Sequence, residues 1–213
     1  MAMTSFSQTG QDVMIGFLLA HHRLIPKDKD YIGYYLDIGC CDPIQGSNTY
    51  AFYKRGWSGL CVDANPDVAD NYRAVRPNDV VVSCGVGAKA ETLTFYRFAN
   101  QQHNTFNPGR ADRFPEKLKS KIQVPVRTLT SLIDEFVPAD RKIDFMSMDV
   151  EGFEMNVLTA IDFKKHRPSL IIIELFVDMK KLLQGKSVLF LEQHGYRLIS
   201  YSGHDAIFVV EGG

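Results

Sequence analysis

Tyr34-Tyr35-Leu36-Asp37-Ile38-Gly39, answered further along by Leu60-Cys61-Val62-Asp63, is the stretch on which the reading of the fold turns. Each is a short apolar run that ends in a carboxylate, as a buried strand would be written. The first breaks into a turn rich in Gly, Pro and Ser, and the second stops at Asn65-Pro66. In a doubly wound α/β fold the ligand sits at the carboxyl ends of the strands. The first strand-to-helix turn offers its backbone there, and an acid roughly 20 positions on takes ribose hydroxyls. Asp37 and Asp63 together therefore point to an adenosine-type cofactor.

What the turn lacks narrows the choice. Gly39-Cys40-Cys41-Asp42-Pro43-Ile44-Gln45-Gly46-Ser47-Asn48-Thr49 holds neither G-x-G-x-x-G nor G-x-x-x-x-G-K-[ST]. A pyrophosphate needs glycine backbone and a bare helix N-terminus, and a Walker loop needs its lysine. S-adenosylmethionine carries a sulfonium cation and an amino-acid tail instead of phosphate, so carboxylates near the turn suit it better. The elimination favours S-adenosylmethionine over NAD or ATP. An aspartate at a strand end also serves simply to brace its turn, and that role stays open for Asp37.

The chain has 213 residues, a net charge of −1 and 45% hydrophobic content, an ordinary size for one α/β domain with a substantial core. A single domain over 1–213, with an N-terminal helical extension over about 4–30, is expected. The balanced charge gives no electrostatic reason to expect nucleic acid as a partner. Cys40, Cys41, Cys61 and Cys84 form no C-x-x-C pair, so reduced packing thiols are expected, without zinc or disulfides. Met1 to Gln11 has neither a basic nor an apolar leader region. No apolar run, Leu170-Ile171-Ile172-Ile173 included, is long enough for a membrane helix, and a cytoplasmic location is the default expectation.

Along the chain, helical patterns are expected at Asp12 to His22, Asn48 to Lys54 before Gly56, Pro66 to Pro77, and Val188 to His194. Thr130 is the expected cap for a helix over Ser131 to Phe136. Strands are expected at Tyr34–Ile38, Gly59–Asp63, Val80–Cys84, Glu91–Phe98, Ile122–Arg127, Ile143–Asp149, Leu170–Glu174, Tyr196–Tyr201 and Ala206–Val210. Pro125 marks its strand as an edge. Asn100 to Pro115 has little periodicity, which suggests a binding loop. Strands alternating with helices predict a mostly parallel sheet with helices on both faces, closed by an antiparallel C-terminal hairpin. Its rim would carry Asp37, Asp63, Ser83, Asp149 and Glu174.

That arrangement resembles the Rossmann-like class I methyltransferase fold. The words Ser7-Gln8-Thr9-Gly10-Gln11-Asp12, Asp37-Ile38-Gly39, Ser47-Asn48-Thr49, Gly56-Trp57 and Asp149-Val150-Glu151-Gly152-Phe153-Glu154 occur in order. Together, over roughly Ser7 to Val210, they resemble the FkbM-type methyltransferase domain. The resemblance implies methyl transfer from S-adenosylmethionine to an acceptor oxygen of a saccharide or small secondary metabolite. It also implies Asp37, Gly39, Ser47, Asn48 and Asp63 at the cofactor, and Asp149 beside donor sulfur and acceptor. An NAD-dependent oxidoreductase, or a non-catalytic nucleotide-binding module of the same fold, are the alternatives.

An alcohol acceptor must lose a proton, so a base in reach helps by about 10²–10⁴-fold. Asp149 and Glu151 are the first candidates, with Glu154 expected on the same helix face as Glu151. His103, in the irregular segment, is a third candidate because histidine titrates near neutrality. First-turn placement alone would also account for Glu151 and Glu154. Asp149, Glu151 and Glu174 could gather a divalent cation, a reading not favoured here. Trp57 reads as core. Tyr50 and Lys54 form a Y-x-x-x-K word like that of short-chain reductases, but too early in the chain for that chemistry.

Overall fold

The computed structural model describes residues 4–211, so the ends of the expected 1–213 unit lie outside the described residues. Helix α1 (Gln11–His21) leads into β1 (Tyr34–Ile38), α2 (Tyr50–Tyr53), β2 (Ser58–Asp63), α3 (Val68–Val75) and β3 (Val80–Ser83). Then come β4 (Gly85–Val86), β5 (Glu91–Phe98), α4 (Pro108–Ala111), β6 (Leu118–Arg127) and α5 (Leu129–Phe136). The last part holds β7 (Phe145–Met148), α6 (Glu154–Leu158), β8 (Leu170–Glu174), α7 (Met179–Leu182), α8 (Lys186–Gln193), β9 (Tyr196–Tyr201) and β10 (Asp205–Val210).

Seven strands make one sheet in the order β3-β2-β1-β7-β8-β10-β9. Neighbours from β3 to β8 are parallel, and β10 runs antiparallel to β8 and β9. This is the predicted sheet, hairpin included. Every residue of β1 is buried, which requires a covering layer on each face. Leu36, Ile38, Leu60 and Val62 pack with Leu132, Leu158 and Leu191 from α5, α6 and α8. Tyr35 and Cys61 face the other way, onto Ile15, Leu19, Phe52 and Tyr72 from α1, α2 and α3. Truncating Leu36 or Leu60 to alanine is expected to cost about 2–5 kcal/mol. Trp57 lies in the second layer against Phe52 and Phe145, as expected. The four cysteines are free thiols. No helix among the described residues is long and apolar enough to cross a membrane.

Two local expectations are corrected. β5 and β6 do not extend the large sheet but form a second one, β4-β6-β5. Pro125 thus sits in a central strand, opposite Thr92 of β5. It is tolerated because two-residue β4 pairs with β6 only from Val126 onward, which leaves one side of β6 open at Pro125. The cap of α5 is Thr128, whose side chain accepts from Ser131 N–H. The Thr130 hydroxyl is turned instead toward the loop after α6, donating to the Ala160 carbonyl and accepting from Asp162 N–H.

From β1 the sheet grows outward through β2 to β3, and the chain then returns to lay β7 on β1's other side. A crevice opens at such a reversal, beyond the carboxyl ends of the two strands. Here Asp149 N–H donates to the Ile38 carbonyl at 3.0 Å. Gly39 turns away at φ 81°, and a Cβ on it would lie 1.8 Å from the Asp149 carbonyl oxygen. Only glycine fits where these two strand ends meet.

Candidate active site

A cavity of about 240 Å³ occupies that crevice and is lined by Asp37, Gly39, Asp63, Asp149, Glu151 and Glu174, among others. Asp63, at the end of β2, accepts from Cys41 N–H at 2.9 Å and Asn65 N–H at 2.7 Å. It therefore ties the turn after β1 to the turn after β2. Burial raises its pKa against the pull of those two bonds. Asp37 lies within β1, buried, and accepts from the Thr49 hydroxyl at 2.5 Å. Burial pushes its carboxyl up to about 6, with Arg76 and the Thr49 bond opposing. Asp37 thus also braces its turn. Ser47 is buried and accepts from Tyr50 N–H at 3.1 Å, while the Asn48 amide donates to the Ser147 hydroxyl at 3.0 Å.

Behind this turn stands a charge that sequence reasoning missed. Arg76 is fully buried just past α3 and pairs with the equally buried Asp79 side chain at 2.7 Å. It donates to the Thr49 hydroxyl at 2.9 Å, to Ser47 at 3.3 Å and to the Pro43 carbonyl at 3.3 Å. The rings of Tyr72 and Tyr53 lie 4.8 and 5.2 Å from its guanidinium carbon. Planar, multidentate donation of this kind is what arginine supplies and lysine does not. Nothing in the local sequence marks Arg76 and Asp79, three positions apart, as a buried pair.

At the carboxyl ends of β7 and β8 the site is acidic. One oxygen each from Asp149, Glu151 and Glu174 lie within 4.8 Å of one another. Asp149 Oδ1 is buried and accepts no hydrogen bond. Burial, then the neighbouring Glu151 charge, raises the Asp149 pKa; burial and the Asp149 charge raise that of Glu174. Crowded carboxylates of this kind hold a proton between them near neutrality. Glu151 is pushed up to about 7 by burial, against the pull of Arg110, with which it forms an ion pair. Oxygen donors so placed suit a hard cation. The Arg110 pair offsets part of the same repulsion.

Glu151 does not open a helix. Its φ is 53°, Gly152 follows at φ 92°, and α6 begins only at Glu154. A non-glycine residue in the left-handed region is strained by about 1–3 kcal/mol and needs outside support. The support comes from the irregular segment predicted as a binding loop, which lines the cavity. Thr105, buried within it, donates to the Glu151 carbonyl at 2.9 Å, and Phe106 packs between Phe95 and Phe153. His103 also lines the cavity, half-exposed, with Nδ1 3.9 Å from Glu151. Glu154 is half-buried and accepts from Gly152 N–H.

Ser83 does not join the site. It ends the edge strand β3 exposed, and the following Cys84, Gly85 and Val86 are what turn inward to line the cavity. Tyr50 packs on Phe6, and Lys54 lies over the same ring, which explains that word without chemistry. The N-terminal word acts as a strap. Asp12 gathers Phe6 N–H and the hydroxyls of Ser5 and Ser7, Ser7 bridges to Gly46, and Gln8 reaches the cavity.

The model of the methyltransferase FkbM domain matches residues 37–198. No curated protein sequence matches the chain. Among solved structures, methyltransferase FkbM from Methylobacillus flagellatus KT superposes with a TM-score of 0.53 at 14% identity, covering 92% of this chain and 47% of its own. The chain thus spans about half the length of that protein. The O-methyltransferase TomG from Streptomyces achromogenes, solved in complex with S-adenosylmethionine, gives 0.50 at 10% identity over 98% of this chain and 82% of TomG. At such identities the likeness speaks for the fold alone, a class I methyltransferase fold, while the domain match speaks for descent and displaces the oxidoreductase alternative. The chain belongs to the FkbM family of S-adenosylmethionine-dependent methyltransferases.

Proposed function

We propose that the protein transfers the methyl group of S-adenosylmethionine to a hydroxyl oxygen of a saccharide or small secondary metabolite. The observation that carries this reading is the buried, unpartnered Asp149 Oδ1 at the cavity wall. An orphaned buried carboxylate oxygen costs about 1–3 kcal/mol or more unless something arrives to meet it. A cationic donor and an acceptor hydroxyl are both suited to do so. The cavity fits such a donor in charge as well. Arg110 is the one Lys or Arg side chain among its described lining residues, and it is already paired with Glu151, so no cationic cradle for a pyrophosphate is present.

In this reading Asp63 receives the ribose hydroxyls on lone pairs left free by Cys41 and Asn65 N–H. Asp37 places negative charge under the turn that meets the donor. Ser47, Asn48 and Gly39 hold that turn rather than grip the ligand. When bound, S-adenosylmethionine supplies a methyl group already activated on sulfonium. The protein's work is then alignment, where effective molarity contributes up to roughly 7–11 kcal/mol. Asp149, assisted by Glu174, takes the acceptor proton, since a carboxylate raised toward neutrality is a better base than an ordinary one. Glu151 holds the covering segment through Arg110 and Thr105, and His103 stands at the entrance.

The test is transfer of radiolabelled methyl from S-adenosylmethionine to a panel of hydroxylated acceptors, with the product bond identified by NMR. A methyl ether is expected. Transfer only to nitrogen or carbon acceptors would contradict the proposed oxygen specificity.

A further inference from the structure

Glu174 is followed two residues later by Phe176, a large aromatic that is 61% exposed and lines the same cavity as Asp149 and Glu174. Single exposed apolar residues are ordinary. This one is unusual in being exposed and yet held. Leu175 N–H donates to the His204 carbonyl at 2.5 Å. The Tyr201 hydroxyl lies 3.0, 2.6 and 2.8 Å from the carbonyls of Leu175, Val177 and Gly203. The His204 ring supports Phe176, centroid to centroid at 5.0 Å and tilted by 51°. The backbone on either side of Phe176 is therefore clamped to the β9–β10 turn, while much of the ring stays open.

We infer that Phe176 is the floor of an acceptor subsite that takes the apolar face of an uncharged sugar ring, with the ring's hydroxyls directed to the carboxylates of Asp149 and Glu174. The inference rests on the proposed methyl transfer and specifies its substrate. A sugar ring shows C–H groups on its faces and hydroxyls at its rim. An aromatic floor beside carboxylate acceptors matches both. A flat phenol would leave the acids without hydroxyl partners on all but one edge, and an acyclic polyol would leave the aromatic face bare. An anionic sugar would meet like charge from three acids, opposed by Arg110, the one lysine or arginine among the described lining residues.

The experiment uses methyl α-glycosides of several hexoses, with sorbitol and catechol as controls, and the variants Phe176→Ala and Phe176→Trp. Calorimetry with S-adenosylhomocysteine comes first, and equal affinity in all three proteins shows that the fold and cofactor site are intact. Glycoside binding to the S-adenosylhomocysteine-loaded protein is then read by saturation-transfer NMR, independently of catalysis. Binding to wild type, weakened about tenfold in Phe176→Ala and restored in Phe176→Trp, is expected. In turnover the loss should fall on KM, with kcat little changed. Glycosides bound at Phe176 but never methylated would keep the subsite and sink the methyl-transfer reading. Glycosides methylated equally well by Phe176→Ala, or binding confined to sorbitol or catechol, would overturn the subsite.

Discussion

The two ends of the cavity are built on opposite terms. Under the turn after β1, polar groups are satisfied: Asp63 receives two backbone N–H groups, Asp37 receives Thr49, and Arg76 ties Thr49, Ser47 and Pro43 together. At the ends of β7 and β8 they are not. Asp149 keeps a bare buried oxygen and three acids crowd one another, whereas a non-glycine residue in the left-handed region occurs at both ends, Cys41 and Glu151. A closed polar network specifies a shape in advance of binding. Unmet, crowded carboxylates are the mark of a surface whose partners arrive with the ligand. On the proposed function, the first end would hold the constant cofactor and the second would act on the acceptor.

The sharpest way to break this contrast is at Asp149. Asp149→Asn should reduce kcat by about 10²–10⁴-fold while leaving S-adenosylhomocysteine affinity within a few-fold. Equal losses in both would make it part of the scaffold. Next is the satisfied end: Arg76→Met strips a buried pair and should lower unfolding free energy by about 3–5 kcal/mol in urea titrations. Arg76→Lys, which keeps the charge but not the fork, should recover only part of it.

A third prediction concerns pH. Glu151 rises from an ordinary 4.5 to about 7 in the folded protein, and Asp149 and Glu174 are raised too. The folded state then binds protons more tightly than the unfolded chain. The stability from this cluster is complete below about pH 4.5 and is lost as pH rises through about 7. Glu174→Gln should raise Tm at pH 8, by the equivalent of about 1–2 kcal/mol, and change it little at pH 5. An equal shift at both pH values would show that charge crowding is not the cause. The smallest effect is expected at His103. His103→Ala should lower kcat by less than about tenfold, whereas a loss of 10² or more would mark it as the base.

These contrasts also separate what the sequence could disclose. Strands β1 and β2 were legible because a buried strand must be apolar throughout and its terminal acid has to meet solvent or ligand; Asp37, Asp63, Asp149 and Glu174 followed from that. Segment 100–115 was expected to be a binding loop from its lack of periodicity, and the structure lays part of it along the cavity. The second sheet was not, because alternation in β5 and β6 reveals a strand without naming its partner. Ser83 failed for a related reason: on the edge strand β3, only the next residues turn inward. Glu151 was misplaced because its left-handed φ is imposed by Thr105 and Phe106, far away in the chain. Arg76 was invisible because no local pattern tells a buried arginine from a surface one.

The most direct test of the two-ended account is calorimetric titration of S-adenosylhomocysteine into wild type, Asp63→Ala and Asp149→Asn side by side. The account predicts binding that is weakened about tenfold or more in Asp63→Ala, the loss of hydrogen bonds to a charged group, and nearly unchanged in Asp149→Asn. The reverse order, with Asp149→Asn losing the ligand and Asp63→Ala keeping it, would contradict it.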